Sequence, residues 1–253
     1  MTAMTAGTTA AAVRTESVHT ESVRLESVTK SYGDVRALDE VSWTFERGGF
    51  TAVMGPSGSG KSTFLHCASG LDRPTSGTVR VGGVDLGALR EAKRTRLRRE
   101  RIGFVFQSFN LVPSMDVEQN IALPLLLGGT EPDADRLAEV VRRVGLADRL
   151  RHRPAELSGG QQQRAAIARA LITRPEVVFA DEPTAALDPR TARDVLRLLR
   201  EAADATGQTI VLVTHDPVAA AWADSVVFLS GGRIVDELAA PTVPAVMSRW
   251  ESL

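Results

Sequence analysis

Gly55-Pro56-Ser57-Gly58-Ser59-Gly60-Lys61-Ser62-Thr63 decides how the chain is read. The apolar run Phe50-Thr51-Ala52-Val53-Met54 enters it, and Phe64-Leu65-His66-Cys67-Ala68 leaves it with helical character. The local order is strand, glycine-rich loop, helix, and every fixed position of G-x-x-x-x-G-K-[ST] is met. Glycines let successive backbone N–H groups converge on a polyphosphate without a Cβ in the way. The helix starting near Lys61 adds its positive dipole end at the same spot. Lys61 supplies a point charge for β- and γ-phosphates, and the Ser62 hydroxyl suits a hard cation such as Mg²⁺. The competing reading is a flexible Gly/Ser turn with a chance lysine, which the strand-before, helix-after context disfavours. The stretch is read as a nucleoside triphosphate site, with Gly55, Ser57, Gly58, Ser59, Gly60, Lys61, Ser62 and Thr63 as its binding residues.

Outward from that loop the composition is ordinary. The chain has 253 residues, a formal charge of −1, 43 % hydrophobic and 24 % charged residues. That is enough for one sizeable core, or one core with a subdomain. Near-neutral charge argues against a protein that coats nucleic acid, so no nucleic-acid partner is expected. Cys67 is the only cysteine, so no intrachain disulfide can form. The longest apolar run, Ile121-Ala122-Leu123-Pro124-Leu125-Leu126-Leu127, is too short to span a bilayer and holds a proline. The Thr- and Ala-rich start lacks the features of a signal peptide. The expectation is a soluble chain whose membrane role, if it has one, comes through a partner.

Residues 1–22 read as a disordered tail, followed by a folded domain over 23–240 and a short C-terminal extension over 241–253. Glu16-Ser17-Val18, Glu21-Ser22-Val23 and Glu26-Ser27-Val28 repeat at a spacing of five. The last copy is assigned to the first strand and the others to extended tail. From Val23 to Phe45 the pattern alternates, with a turn at Tyr32-Gly33-Asp34, and Thr78–Val81 with Gly82-Gly83 predicts another strand and turn. Arg90, Lys93, Arg94, Arg96, Arg98, Arg99 and Arg101 make residues 89–101 strongly basic. A solvated helix face is favoured there over a phosphate or lipid-headgroup patch. Helical periodicity over Asp133–Val144 and Gln161–Leu171, broken by Pro124, Pro132 and Pro154, predicts a helical subdomain over about 108–172 inserted in an α/β core. After Pro175, strand and helix alternate to the Gly231-Gly232 hairpin, which argues a mostly parallel sheet. The final dozen residues read as at most a short helix.

Polar residues at strand ends carry the remaining chemistry. Val177-Val178-Phe179-Ala180-Asp181-Glu182 is a buried strand that ends in two carboxylates, where ligands bind in open α/β sheets. Asp181 is placed to hold Mg²⁺ and Glu182 to orient and deprotonate a water. Gln107, Asp188 and His215 also fall at or near strand ends; a lone histidine such as His215 is otherwise more often structural. Ser158-Gly159-Gly160, before the helix that starts with Gln161, is a second helix-N-terminus anion site. Two such devices on different subdomains are hard to satisfy with one nucleotide in one chain. They make sense if two copies meet head to tail, each closing the other's phosphate loop.

This combination resembles the nucleotide-binding domain of ATP-binding-cassette (ABC) transporters over about residues 24–237. Gly55–Thr63 resembles the Walker A loop, Val177–Glu182 the Walker B strand, and Leu157–Gln161 the family signature. Gln107 matches the Q-loop, Asp188 the D-loop and His215 the switch histidine. Tyr32 sits where the family stacks an aromatic ring on adenine.

The resemblance implies an α/β P-loop fold with a mostly parallel core sheet, an antiparallel β subdomain and the helical insert. It implies ATP and Mg²⁺ as cofactors, with Ser62, Gln107 and Asp181 at the metal and Glu182, His215 and Gln107 in catalysis. Ser158 and Gly160 would reach the γ-phosphate of a partner's ATP, and Asp188 would couple the two sites. It also implies a head-to-tail homodimer and a separate integral membrane permease, docked near Gln107–Met115. That would hold the chain in the cytoplasm, peripheral on the cytoplasmic face of the membrane.

Phe104–Pro113, Asn120 with Leu123-Pro124-Leu125, and Leu157–Arg164 are similar to the macrolide-export and lipoprotein-release branch, which includes a cell-division ATPase. Thr184-Ala185-Ala186-Leu187-Asp188 departs from that branch, which often has Gly-Asn-Leu-Asp there. The function implied is ATP hydrolysis that drives a permease, as an exporter or a lipid-, lipoprotein- or peptide-handling system. The alternative is a non-transport ABC ATPase: a cell-division regulator, or one associated with nucleic acid, ribosomes or a scaffold.

Lys61→Ala is expected to cost about 3 kcal/mol of nucleotide binding, roughly a hundredfold in Kd, read by titration with a fluorescent ATP analogue.

Overall fold

Val177, Val178, Phe179 and Ala180 are all fully buried, although alternate side chains of a strand point to opposite faces. Both faces of their sheet must therefore be covered, the usual condition of a parallel sheet. The computed structural model, described over residues 20–253, shows how. The first Glu-Ser-Val copy and most of the expected tail lie outside the described residues.

In chain order the strands are β1 (Glu21–Tyr32), β2 (Val35–Glu46), β3 (Phe50–Met54), β4 (Ser76–Val81), β5 (Val84–Asp85), β6 (Ile102–Phe106), β7 (Val177–Asp181), β8 (Thr209–Val213), β9 (Ser225–Ser230) and β10 (Arg233–Ala239). The α-helices are α1 (Lys61–Ala68), α2 (Glu91–Arg101), α3 (Val117–Leu126), α4 (Ala134–Val144), α5 (Gly159–Leu171), α6 (Pro189–Thr206), α7 (Pro217–Ala220) and α8 (Val243–Trp250). The larger sheet has the order β10-β9-β3-β8-β7-β6. Its β9, β3, β8, β7 and β6 run parallel, and β10 is an antiparallel edge. The smaller sheet, β2-β1-β4-β5, is antiparallel throughout.

Two cores flank the larger sheet. Val177, Phe179, Val211 and Val213 face a core shared with Phe64 and Leu65 of α1 and with Val23, Leu25 and Phe45 of the smaller sheet. Val178, Ala180, Ile210 and Leu212 face a second core shared with residues of α3, α4, α5 and α6. Strict alternation within β7 and β8 thus feeds both cores, and it explains why these strands read as continuous apolar runs.

Several elements differ from the sequence reading. β1 begins at Glu21, so the second Glu-Ser-Val copy, expected in extended tail, lies inside the strand. A spacing of five should put Val23 and Val28 on opposite faces, yet both are buried. The register shifts between Leu25 and Val28, and Ser27 takes a φ of 47°. That bulge resets the phase. Pro124, expected to interrupt helix, sits inside α3, which Asp116 and Gln119 start with a reciprocal capping box. In α2 the basic face is not wholly solvated, because Arg94 is only 6 % exposed. The short C-terminal helix α8 is capped by Thr242 and anchored by buried Val246.

Phe179 is fully buried and stacks on Phe104 at 6.1 Å between ring centroids. Phe179→Ala is expected to lower unfolding free energy by about 3–5 kcal/mol and Phe179→Leu by less than about 1.5, read by chemical denaturation.

Candidate functional site

β3, β8, β7 and β6 are neighbours in the sheet, so the residues just past their carboxyl ends collect along one edge. The Gly55–Gly60 loop comes after β3, Glu182 after β7, Thr214 and His215 after β8, and Gln107 after β6. Backbone bonds carry the alignment past the strands: Glu182 N–H donates to the Val213 carbonyl at 2.9 Å, and Thr214 N–H to that of Val53 at 3.1 Å.

The loop needs its glycines. A Cβ on Gly55 would stand 2.2 Å from the Leu229 carbonyl oxygen, and one on Gly60 would stand 2.4 Å from that of Ala37. Gly60 also holds a φ of 102° as it opens α1. The amides of Gly58, Gly60, Lys61, Ser62 and Thr63 meet no backbone acceptor among the described residues. They form a concave set of donors at the positive end of a helix, as an oxyanion requires. Lys61 Nζ donates to the carbonyls of Gly55 at 2.7 Å and Pro56 at 3.0 Å. Burial pulls its ammonium below the usual lysine value, while Glu182 and Asp181 pull it back up. Ser57, Gly58 and Ser62 are exposed; the Ser59 hydroxyl is buried with no partner among the described residues.

Asp181 stands in register with Val213 of β8 and Phe106 of β6. Burial, then the neighbouring Glu182 charge, pushes its carboxyl up, against the pull of His66 and Lys61. Among the described residues no hydrogen bond reaches that carboxylate, so it is chemically suited to a hard cation. Glu182, at φ 46°, accepts from the Thr214 hydroxyl at 3.2 Å, and its Oε1 lies 2.7 Å from His215 Nδ1. The His215 side chain is 66 % exposed, that of Glu182 17 %. A cavity of about 520 Å³ opens beside this pair, lined also by Thr184, Leu187 and Asp216. A larger cavity, about 610 Å³ among Arg47, Arg136, Arg143 and Arg174, holds none of the sequence-predicted residues.

The other predicted residues fall around this edge. Gln107 is exposed in the turn after β6. Tyr32 ends β1, half exposed, and its hydroxyl donates to Asp72 at 2.7 Å, while Lys30 Nζ donates to the other Asp72 oxygen at 2.8 Å. Lys30 also lies 4.8 Å from the Tyr32 ring centroid. Asp188 caps α6, accepting from the amides of Arg190 and Thr191 and from the Thr191 hydroxyl; that last bond leads the pull on its carboxyl below the usual range.

Ser158 is an exposed cap of α5, in a reciprocal box with Gln161. No hydrogen bond joins it to the 55–63 loop. Gly160 is buried, and a Cβ there would stand 2.2 Å from Thr191 Cγ2, so the starts of α5 and α6 touch.

Sequence reasoning missed Gln163, whose buried Nε2 donates to the Pro183 carbonyl at 2.7 Å and ties α5 to the turn after Glu182. A polar residue in helical phase with Ala166, Ile167 and Ala170 was the available signal. It also missed Asp72 and Thr214, whose partners are set by tertiary contact, and Thr191, which bonds Asp188 three residues back and meets Gly160 through the fold.

The family model described as "ABC transporter" matches residues 38–185. The chain is 44 % identical over 214 residues to the macrolide export ATP-binding/permease protein MacB of Burkholderia pseudomallei, covering 84 % of this chain and 33 % of MacB. With MacB of Rhodospirillum rubrum the identity is 46 % over 210 residues, covering 82 % and 32 %. The chain thus spans about a third of the length of the curated relatives it matches. Among solved structures, the dimeric post-hydrolysis state of the ATP-binding cassette MJ0796 bound to ADP and Pi superposes with a TM-score of 0.78 at 38 % identity, over 87 % of this chain and 99 % of that one. The dimeric structure of MJ0796, described as a bacterial ABC transporter cassette, gives the same values.

Burial pushes the Asp72 carboxyl up, but hydrogen bonds from Lys30, Tyr32 and the Arg73 amide outweigh it and leave it below the ordinary 3.8. A lowered folded value means that the stabilisation is fully present above the unfolded value of 3.8 and is lost as pH falls through the folded value. The Tm gap between wild type and Asp72→Asn is therefore expected at pH 7 and should close below pH 3.8.

Proposed function

Because the chain belongs to the ABC transporter family of ATP-hydrolysing cassettes, we propose that two copies close head to tail around two ATP molecules and drive a separate membrane permease. The observation that carries this reading is the edge itself: a phosphate-accepting loop, the unpartnered Asp181 carboxylate and the Glu182–His215 pair meet at the ends of adjacent strands. Ser158, by contrast, caps a helix with no bond to the same loop. The dimeric MJ0796 cassette supports the assembly.

In this reading the amides of residues 58–63 and Lys61 bind the β- and γ-phosphates, and Lys61 exchanges its two loop carbonyls for phosphate oxygens. Tyr32 stacks on the adenine. Asp181, Ser62 and Gln107 would hold Mg²⁺, which when bound neutralises charge on the β- and γ-oxygens. Glu182 takes the proton of the attacking water as its oxygen bonds to phosphorus and the bond to the ADP oxygen breaks. Thr214 and His215 orient that carboxylate, and the exposed His215 ring turns its other nitrogen to the γ-phosphate. Ser158 and Gly160 complete the site of the second copy, and Asp188 lies where the two sites meet. ATP works through its differential affinity for open and closed dimers.

Residues 23–240 form the cassette, with 108–172 as its helical subdomain. A groove lined by Leu71, Phe104, Phe106, Leu123, Pro124 and Leu127 lies beside the loop after Gln107 and supports permease docking there. Among the described residues no helix is long and apolar enough to cross a membrane, consistent with a cassette held on the cytoplasmic face by its partner. The name of the MacB relatives, macrolide export ATP-binding/permease protein, supports the exporter reading, with a lipid-, lipoprotein- or peptide-handling system as the other form of it.

Glu182→Gln is expected to keep ATP, lower kcat at least about a hundredfold and accumulate as a dimer on size exclusion with ATP. Wild-type turnover in that variant would remove Glu182 as the base. Tagged Glu182→Gln recovered from detergent-solubilised membranes should carry a polytopic membrane protein in fixed ratio. Recovery only from cytosol, with ribosomes, nucleic acid or a scaffold, would favour a non-transport ATPase instead.

A further inference from the structure

The turn after Gln107 has a backbone that its residues do not favour. Phe109 and Asn110 stand at φ of 59° and 50°, two successive left-handed residues with no glycine between them. A bulky residue such as phenylalanine holds that conformation only when its surroundings impose it. Inside the turn, Phe109 N–H donates to the Phe106 carbonyl at 3.2 Å and Asn110 N–H to that of Ser108 at 2.6 Å.

The external constraint is Arg169, near the C-terminal end of α5. Its Nη2 donates to the Phe109 carbonyl at 2.9 Å and its Nη1 to the Asn110 carbonyl at 2.5 Å. Burial alone pulls this guanidinium below its usual range, and no carboxylate among the described residues offsets it. A half-buried cation is thus committed to two carbonyls of one strained turn, in the fork geometry that only arginine offers. The helix behind it is also fixed against the sheet: a Cβ on Gly103 of β6 would stand 2.6 Å from the Ala170 carbonyl oxygen. Ser158 caps the other end of the same helix, about 16 Å away along its axis.

We propose that Arg169 is a positioning residue for Gln107, its fork pinning the left-handed pair Phe109–Asn110 so that the Gln107 loop keeps its place past the end of β6. This rests on the role proposed for Gln107 in the ATPase cycle.

Arg169→Met keeps the unbranched apolar stem of the side chain and removes the fork. It is expected to lower kcat about tenfold or more, with KM for ATP within about twofold, because the loop is misplaced rather than the phosphate site lost. Chymotryptic cleavage after Phe109, read by mass spectrometry, should accelerate at the same time. Glycine takes the left-handed region without strain. Asn110→Gly in the Arg169→Met background should therefore recover most of the lost turnover, which no general loss of stability would allow. Arg169→Lys, which keeps the charge but not the fork, serves as the second variant and should resemble Arg169→Met.

Unchanged cleavage at Phe109 in both Arg169 variants would overturn the clamp. So would faster cleavage with wild-type kcat, provided Gln107→Ala is impaired, and so would failure of Asn110→Gly to rescue. Wild-type turnover in Gln107→Ala, with Arg169→Met impaired and rescued, would instead remove the role given to Gln107 and keep the clamp.

Discussion

The phosphate loop is wedged between two backbone carbonyls. Leu229 closes on one side and Ala37 on the other, each nearer to the loop than any side chain would allow. Leu229 belongs to the parallel sheet and Ala37 to the antiparallel one, so the loop is shaped where the two sheets converge. Both cores contribute to that convergence. The register of β9 against β3 sets where Leu229 stands, and the Asp39 amide bonded to the Gly232 carbonyl at 2.9 Å keeps the smaller sheet in place. The amides that face a phosphate are thus oriented by packing that touches no ligand, which is what preorganisation means in structural terms.

The same economy governs the polar edge. Strands buried on both faces have no room for charge along their length, so Asp181, Glu182, His215 and Gln107 can sit only where strands end. Adjacent, parallel and in register, those ends leave little freedom in how the groups meet. The Glu182–His215 contact needs just one further support, the Thr214 hydroxyl.

This is why so much was legible in the sequence. An apolar run that ends in Asp-Glu, and a glycine loop between strand and helix, are local patterns whose meaning survives without coordinates. The family, its α/β fold and its ATPase chemistry followed from them. Asp72 and Arg169 were not legible, because each acts on a partner that only the fold brings near; Arg169 and Asn110 are 59 positions apart. The Glu-Ser-Val copies misled for a related reason. A period of five cannot fit a regular strand, and the bulge at Ser27 that reconciles it has no composition of its own. Pro124 misled because a proline removes a single helical bond, and α3, capped by Asp116 and buried through Val117, Asn120 and Ile121, continues past it.

Gly160 and Thr191 share one small volume, with no space left for even a methyl group on the glycine. Thr191 also lends its hydroxyl to Asp188, so it cannot shrink to alanine without loosening the cap of α6. The two positions are therefore coupled: a side chain at 160 fits only if the Thr191 methyl gives way, and serine at 191 gives up that methyl while keeping the hydroxyl. Change at the start of one helix is conditional on change at the start of the other.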